Sequence, residues 1–382
     1  MKILCVLNQN IQVVKSGGGQ CALRNYEAIR GSVKNMDSVY TCIISKDYDR
    51  LICNETELYI PGLKNNFQSV IAALSGDKCC KHKYLKNIWE FIEKINPDII
   101  YIDTSKLGKM TKRVKQKYKK KTICFFHNVE ADYSYNLIKN RGWQYVLSYL
   151  ASRKNERMAT QYADVLICLT RRDSDRIYEL YGRRPDVKIP ITFKDIYNES
   201  KVKIDKNKGL LFVGSLFPPN YDGIKWFVDN VMIQLPDIKL TIVGKNFEIK
   251  KEQLEKDNVT VVGTVDNLSD YYYTYPVIVM PIQYGAGMKV KTAEALMYGK
   301  TIIATDEALE EYDIGETKGI HRCNTASEFV NAILSVFKDL DENETRSVFL
   351  KKYEFSVAQQ KYGEIIMKIG NLSYDYFLLG TL

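Results

Sequence analysis

Two lysines and a glutamate set around a glycine turn are the residues of this 382-residue chain best suited to chemistry. They lie in Tyr284-Gly285-Ala286-Gly287-Met288-Lys289-Val290-Lys291-Thr292-Ala293-Glu294, directly after the apolar run VIVMPI. Gly285 and Gly287 leave main-chain amides uncovered where a helix is expected to start, and a helix start attracts anions. Lys289 and Lys291 bring two cations to the same place, which is what a diphosphate requires. Glu294 falls about one turn beyond Val290, so its carboxylate can accept both hydroxyls of a ribose. Gly299 closes the helix as a C′ glycine. Without a ligand, the same residues read as a tight turn with solvated lysines.

Three other segments offer weaker chemistry. In Phe125-Phe126-His127-Asn128-Val129-Glu130, His127 falls at the carboxyl tip of a strand, and only His82 and His321 accompany it in the chain. A neutral imidazole there can hydrogen-bond a sugar hydroxyl or phosphate, or shuttle a proton; a satisfied structural histidine is the alternative. Asn128 can equally cap a helix or touch a ligand. The run Lys15-Ser16-Gly17-Gly18-Gly19-Gln20 follows the first strand and leads into a helix, so Gly17, Gly18 and Gly19 let the backbone approach an anion. Its spacing is neither the dinucleotide fingerprint nor a P-loop, and a flexible turn remains the competing reading. Gly214 and Ser215, in VGSLFPPNYDG, repeat the arrangement in the second half, where an ordinary strand-to-helix loop would look the same. Tyr271-Tyr272-Tyr273 reads as helix packing rather than a platform for a base.

The elements that must hold these residues alternate twice over. Strands are expected at Lys2–Leu7, Val39–Ile44, Asp98–Ile102, Thr122–Phe126 and Asp164–Leu169, with helices near Gln20–Arg30, Asn66–Leu74, Lys83–Ile95, Lys106–Tyr118, Gly142–Tyr162 and Arg172–Tyr181. A polar stretch then interrupts the pattern. Strands resume at Gly209–Val213, Lys239–Val243, Val259–Val262, Val277–Pro281 and Thr301–Ala304, with helices at Asp222–Gln234, Leu268–Tyr273, Lys291–Tyr298 and Ser327–Leu340. Such alternation predicts an α/β protein of two doubly wound parallel sheets, with ligands outside the carboxyl ends of the strands. The expected domains are 1–192 and 208–353, joined by a linker over 193–207, with 354–382 as a C-terminal segment.

Composition narrows the class. Hydrophobic residues make up 45% and charged residues 26%, which excludes a largely disordered chain. No apolar run approaches the roughly 18–20 residues needed to span a bilayer, and MKILCVLNQN does not read as an export signal. Nine cysteines without paired spacing fit a reducing cytoplasm; Cys5, Cys42, Cys124 and Cys168 read as core residues, and Cys79-Cys80 lacks the second pair a zinc site needs. The net charge is +9, but residues 1–192 hold 33 Lys and Arg against 19 Asp and Glu, a net of +14. The run Lys106–Lys121 is dense enough to suit anionic lipid head groups or polyphosphate as well as a solvated helix face. No nucleic-acid-binding signature accompanies it, so nucleic acid is not expected as a partner.

Taken together, the HNVE segment, LLFVGSLFPPNYDGIKWF and GAGMKVKTAEALMYGKTIIAT resemble the GT-B glycosyltransferases, and more closely family 4, retaining enzymes that build bacterial surface polysaccharides such as capsule or O-antigen. The resemblance covers nearly the whole chain and is strongest over Gly209–Asp313. It implies that Glu294 is the second glutamate of an E-x7-E motif and binds the nucleotide ribose. It implies that Gly287, Met288, Lys289 and Val290 face the donor's phosphates and sugar, and that His127 stands at the sugar end. By the same resemblance Gly17, Gly18 and Gly19 close over the diphosphate and acceptor, Gly214 and Ser215 flank the phosphates, and Thr264 and Val265 contact the base. Two positions depart from the family: Ala286 stands where the first glutamate belongs, and Ser215 where an arginine is usual. Lys289 and Lys291 are expected to replace the missing cations.

The expected function is therefore metal-independent, retaining transfer of a sugar from a nucleoside-diphosphate-sugar donor to a hydroxyl of a lipid-linked saccharide, without a cofactor. His127, Lys289 and Lys291 would carry the chemistry. The basic first domain would hold the enzyme at the inner face of the cell membrane, with residues such as Trp143 and Leu150 either adding apolar contact or lying in a core helix. The segment after Glu354 is expected to cross back to the first domain, as in the family. The alternative is a non-catalytic sugar-nucleotide-binding partner of another transferase.

Overall fold

The apolar runs become strands that are buried on both faces. A computed structural model describes residues 1–14, 17–33, 38–64, 80–285, 288–339 and 343–370. The expected helix Asn66–Leu74, together with Cys79, Ala286 and Gly287, lies outside the described residues. The chain divides into two units, Met1–Thr192 with the C-terminal residues from Phe355 on, and Phe193–Glu354.

The first unit contains β1 (Ile3–Leu7), β2 (Val39–Ser45), β3 (Ile52–Cys53), β4 (Glu57–Pro61), β5 (Ile99–Ile102), β6 (Lys121–Phe126), β7 (Val165–Cys168) and β8 (Val187–Lys188). They form one sheet in the order β3-β4-β2-β1-β5-β6-β7-β8, parallel except for the β3–β4 pair. The second unit contains β9 (Leu210–Val213), β10 (Leu240–Val243), β11 (Val259–Gly263), β12 (Val277–Met280), β13 (Thr301–Ala304) and β14 (Ile320–Arg322). Their order is β11-β10-β9-β12-β13-β14, and every pair is parallel. Strands covered by helices on both faces need continuous Val, Ile and Leu, which is why ILCVL, IIYI, LLFV and VIVM were readable. In each sheet the winding changes direction once, between β1 and β5 and between β9 and β12. These are the switch points where such sheets leave a crevice for ligands.

Elements without a strong pattern were not foreseen. The sequence ELYIP of β4 mixes Glu and Pro with apolar residues, although its last four residues are buried. The helix Glu130–Arg141 is too polar to show a stripe. The C-terminal helix Phe355–Gly370 was expected only as a segment crossing back to the first domain, and it does so, burying Ala358, Tyr362, Ile365 and Ile366 in the same core as β1, β5 and the first helix, Gly17–Gly31. Gln359 Nε2 donates to the Gly31 carbonyl at 2.6 Å.

The stretch 193–207 is not a free linker. Phe193 bridges to Glu354, the Lys203 amide donates to the Tyr273 carbonyl at 3.1 Å and the Asp205 amide to Thr274 at 2.9 Å. Arg346 ion-pairs with Asp195 at 2.6 Å and lies over the Tyr197 ring. Isolated amides and single aromatic contacts leave no periodicity to read. The basic run also differs from one long helix: it is a short helix, Gly108–Arg113, continued by a π turn to Tyr118. Much of its charge is engaged, Lys106 with Glu130 at 3.1 Å, Lys115 with Asp164 and Lys117 with Glu93. Arg113 stacks over Trp89.

Gly223 sets how closely the helix Pro218–Asn230 approaches β12. A Cβ there would lie 2.2 Å from the Pro281 carbonyl oxygen. Gly→Ala inside a helix ordinarily gains roughly 1 kcal/mol. Here the overlap reverses the sign, and Gly223→Ala should destabilise the protein by about 1–3 kcal/mol, read from the shift in urea midpoint. A stabilised variant would contradict this packing.

Candidate functional site

In the second unit, the switch point is lined from both sides. Gly214 and Ser215 follow β9, and the helix Pro218–Asn230 starts three residues later. The helix Val290–Met297 begins beyond β12, and its first amides have no partner within the helix. Lys291 crosses between the two. Its Nζ donates to Asn220 Oδ1 at 2.5 Å and sits 4.9 Å over the Phe212 ring. Asn220 in turn donates from Nδ2 to the Ser215 carbonyl at 2.8 Å. Gly214 admits this arrangement: a Cβ there would lie 3.0 Å from Asn220 Nδ2 and 3.2 Å from Lys291 Nζ.

Among the described residues no carboxylate ion-pairs with Lys291. Burial pushes its pKa down to about 7, with Glu294 opposing and Lys289 reinforcing the shift. Glu294 is one turn away; burial raises its carboxyl, and Tyr272 and Lys291 oppose that. Tyr272 Oη donates to Glu294 Oε2 at 3.1 Å, and its ring stacks on Tyr298 with centroids 4.8 Å apart. The three-tyrosine run is therefore helix packing, with one hydroxyl turned to Glu294.

Lys289 does not match the expectation of a second free cation. Its Nζ lies 2.6 Å from Glu307 Oε1 and 3.8 Å from Glu310 Oε2, and its carbonyl accepts from Tyr312 Oη at 2.8 Å. Two carboxylates already meet its charge, so it holds the turn in place. The acid-rich DEALEE segment was the available signal for this clamp. Met288 packs at the edge of the core, whereas Val290 is exposed. Thr264 follows β11, two strands from β9. Its hydroxyl donates to Glu248 at 2.9 Å and accepts from the Asn246 amide at 3.0 Å, while Val265 packs against the core.

In the first unit, Gly17, Gly18 and Gly19 open the helix Gly17–Gly31, and a Cβ on Gly17 would meet nothing within 4 Å. His127 follows β6. Its Nε2 donates to Asp103 Oδ2 at 2.8 Å, and Asp103, just after β5, is 1% exposed. The same carboxylate accepts from Tyr101 Oη at 2.5 Å and from Asn25 Nδ2, on the glycine-started helix, at 3.4 Å. Burial alone would lower the His127 pKa; the Asp103 charge outweighs it and holds the ring well above the usual histidine range. The pairing with Asp103 thus favours the protonated ring over the neutral imidazole expected from the sequence. Asp103 and Asn25 were missed, although Asp103 directly follows the strand IIYI, the place where such sheets put functional groups. Asn128 does not cap the next helix: Glu156 does, accepting from the Glu130 amide at 2.7 Å and the Ala131 amide at 3.0 Å.

Residues 207–339 match the model of the family described as glycosyl transferases group 1. No curated protein matches. Among solved structures, the sucrose-phosphate synthase of Thermosynechococcus elongatus is similar at 14% identity and a TM-score of 0.66, over 98% of this chain and 100% of that one. HepE of Anabaena in complex with UDP is similar at 12% identity and a TM-score of 0.64, over 96% and 100%. The lipopolysaccharide outer core galactosyltransferase WaaB gives 13% and 0.59, over 97% and 100%. These likenesses establish the GT-B fold, two Rossmann-like parallel sheets.

An amine with its pKa near 7 in the folded protein and an ordinary value of about 10.4 in the unfolded chain costs stability. That cost is complete below pH 7 and fades as pH rises towards 10. Lys291→Met should therefore raise stability at pH 6.5 by on the order of 1–2 kcal/mol after loss of the Asn220 bond, and much less at pH 10. Melting curves of both proteins at the two values test this. A variant equally or less stable at pH 6.5 would contradict the burial argument.

Proposed function

We propose that this chain is a glycosyltransferase that takes a sugar from a nucleoside-diphosphate donor and passes it to a hydroxyl of a saccharide acceptor. The observation that carries the reading is Lys291, a buried amine held without a carboxylate beside a helix start at the switch point of the second sheet. A diphosphate supplies the missing negative charge and draws a proton onto the amine. The group 1 transferase match over 207–339 and the UDP named in the HepE structure support the donor class.

As the bond from the anomeric carbon to the diphosphate breaks, negative charge collects on the leaving oxygen. Lys291 and the first amides of the helix Val290–Met297 meet that charge, and donors aimed where charge develops lower the barrier. Glu294 clasps the ribose hydroxyls, with Tyr272 fixing one of its oxygens. In the first unit, His127 offers an N–H to a substrate oxygen. Retention follows if the acceptor oxygen attacks on the face the diphosphate leaves and gives its proton to the departing phosphate oxygen. That route uses no side-chain nucleophile and no metal. Lys289 serves the site indirectly, by tying the turn before the helix to Glu307 and Glu310.

A lipid-linked acceptor and surface-polysaccharide synthesis belong to the same proposal. Trp143 is 82% exposed, and Val146, Leu147 and Leu150 are exposed along one face of the helix Val146–Tyr162, so these residues do not form a core helix. Together with Lys119 and Lys121, both exposed, they give the first unit apolar and basic features suited to an anionic membrane surface at the inner face of the cell membrane.

Glu294→Gln should weaken UDP binding by on the order of 1.5–3 kcal/mol, measured by calorimetry; unchanged affinity would remove the ribose role. Binding of UDP-sugars with no transfer to any saccharide hydroxyl would favour the non-catalytic partner instead, a reading motivated by Ala286 and Ser215. Trp143→Ser with Leu150→Ser should lower retention on phosphatidylglycerol vesicles several-fold while transfer to a soluble acceptor is kept. Retention equal to that of the unaltered protein would contradict the membrane role.

A further inference from the structure

We infer that Asp103 is a positioning residue that keeps His127 permanently protonated, so that His127 acts as a fixed cationic hydrogen-bond donor and not as a proton shuttle. The inference deepens the proposed function and rests on it for the ligand class, an oxygen of a saccharide or phosphate substrate. The pairing itself rests on geometry alone.

The geometry begins with Asp103 at the end of β5, beside the switch point of the first sheet. Its carboxylate accepts from Tyr101 Oη, Asn25 Nδ2 and His127 Nε2. Around the pair stand Cys21 and Asn25 from the helix Gly17–Gly31, Cys5 from β1, Tyr101 from β5, and Tyr362 from the helix Phe355–Gly370, whose Oη is 3.4 Å from Tyr101 Oη. None of these neighbours is a cation. Among the described residues, only His127 forms an ion pair with Asp103. Removing the proton from His127 would leave a buried carboxylate without its counter-charge, a costly state.

The bond to Asp103 fixes the ring in a second respect. With Nε2 committed, Nδ1 is the nitrogen left for another group; it is buried without an oxygen or nitrogen partner among the described residues, and the Cys21 sulfur, a weak acceptor, is the side chain that meets the ring. A general base needs a lone pair near neutral pH. A protonated ring whose remaining N–H meets at best a weak sulfur acceptor has the opposite property: it favours an oxygen. A buried unsatisfied donor is costly, and a ligand oxygen removes that cost. Asn25 also ties the same carboxylate to the helix that opens with Gly17–Gly19, so the glycine segment and the imidazolium are held by one group.

The test is a histidine titration by NMR on the full chain with labelled imidazole rings, with the His127 signal assigned from His127→Gln. The signal should remain that of the protonated ring from pH 6 to pH 8.5 in the unaltered protein. In Asp103→Asn it should titrate below pH 7, and the KM for a UDP-sugar should rise several-fold from pH 6 to pH 8 while that of the unaltered enzyme stays within twofold. A His127 that loses its proton between pH 6 and pH 7.5 in the unaltered protein overturns the inference, as does an Asp103→Asn variant with an unshifted titration. If Asp103→Asn does not fold, the titration of the unaltered protein decides alone. Absence of UDP-sugar binding would count against the proposed function and leave the titration result standing.

Discussion

An ammonium group taken out of water needs a partner, and among the described residues Lys291 has only an amide oxygen and the face of a phenyl ring. That deficit sets the arrangement at the switch point of the second sheet. Asn220 holds the amine, Ser215 holds Asn220, and Gly214 leaves room for both. The neighbouring Lys289 shows the contrast. With Glu307 and Glu310 against it, Lys289 is a finished ion pair and part of the scaffold. Two lysines two residues apart thus have opposite roles, decided by whether a carboxylate reaches them.

The sheets explain why functional groups gather where they do. Apart from the β3–β4 pair each is parallel, so the carboxyl ends of its parallel strands share one edge, and each reverses its winding at a single place. At that place neighbouring loops diverge, leaving amides and short side chains uncovered by packing. In the second unit the crevice lies between β9 and β12, where Gly214 and Lys291 meet. In the first it lies between β1 and β5, where the glycine-started helix and Asp103 meet through Asn25. His127, one strand further on, joins the same network. The same topology has placed an amine with an amide partner in one unit and an imidazole paired with a buried carboxylate in the other.

The strands, the doubly wound class and the glycine-flanked helix start were legible because they depend on local patterns: unbroken apolar runs, glycine after a strand, alternation of period. Lys291 and Glu294 could be singled out because both sit on one short helix. Asp103 could not, because its importance depends on contacts with Asn25, Tyr101, His127 and, through Tyr101, Tyr362, which span most of the chain. Lys289 was misjudged for the same reason, its partners lying in a segment that resembles any acidic surface helix. The stretch 193–207 looked like a linker because backbone amides and lone aromatic rings hold it down. Glu156 capping the helix that follows His127 is a further case: a carboxylate inside one helix satisfies the start of another.

The account stands or falls on the state of one amine. Labelling the lysine side chains and following the Lys291 signal against pH, with and without saturating UDP, measures it directly. The free protein should show half-protonation near pH 7, and UDP should move that midpoint upward by two units or more, since a bound diphosphate supplies the absent counter-charge. A midpoint near the ordinary lysine value in both states would mean that the amine is solvated, and that the diphosphate, if it binds at all, is held elsewhere.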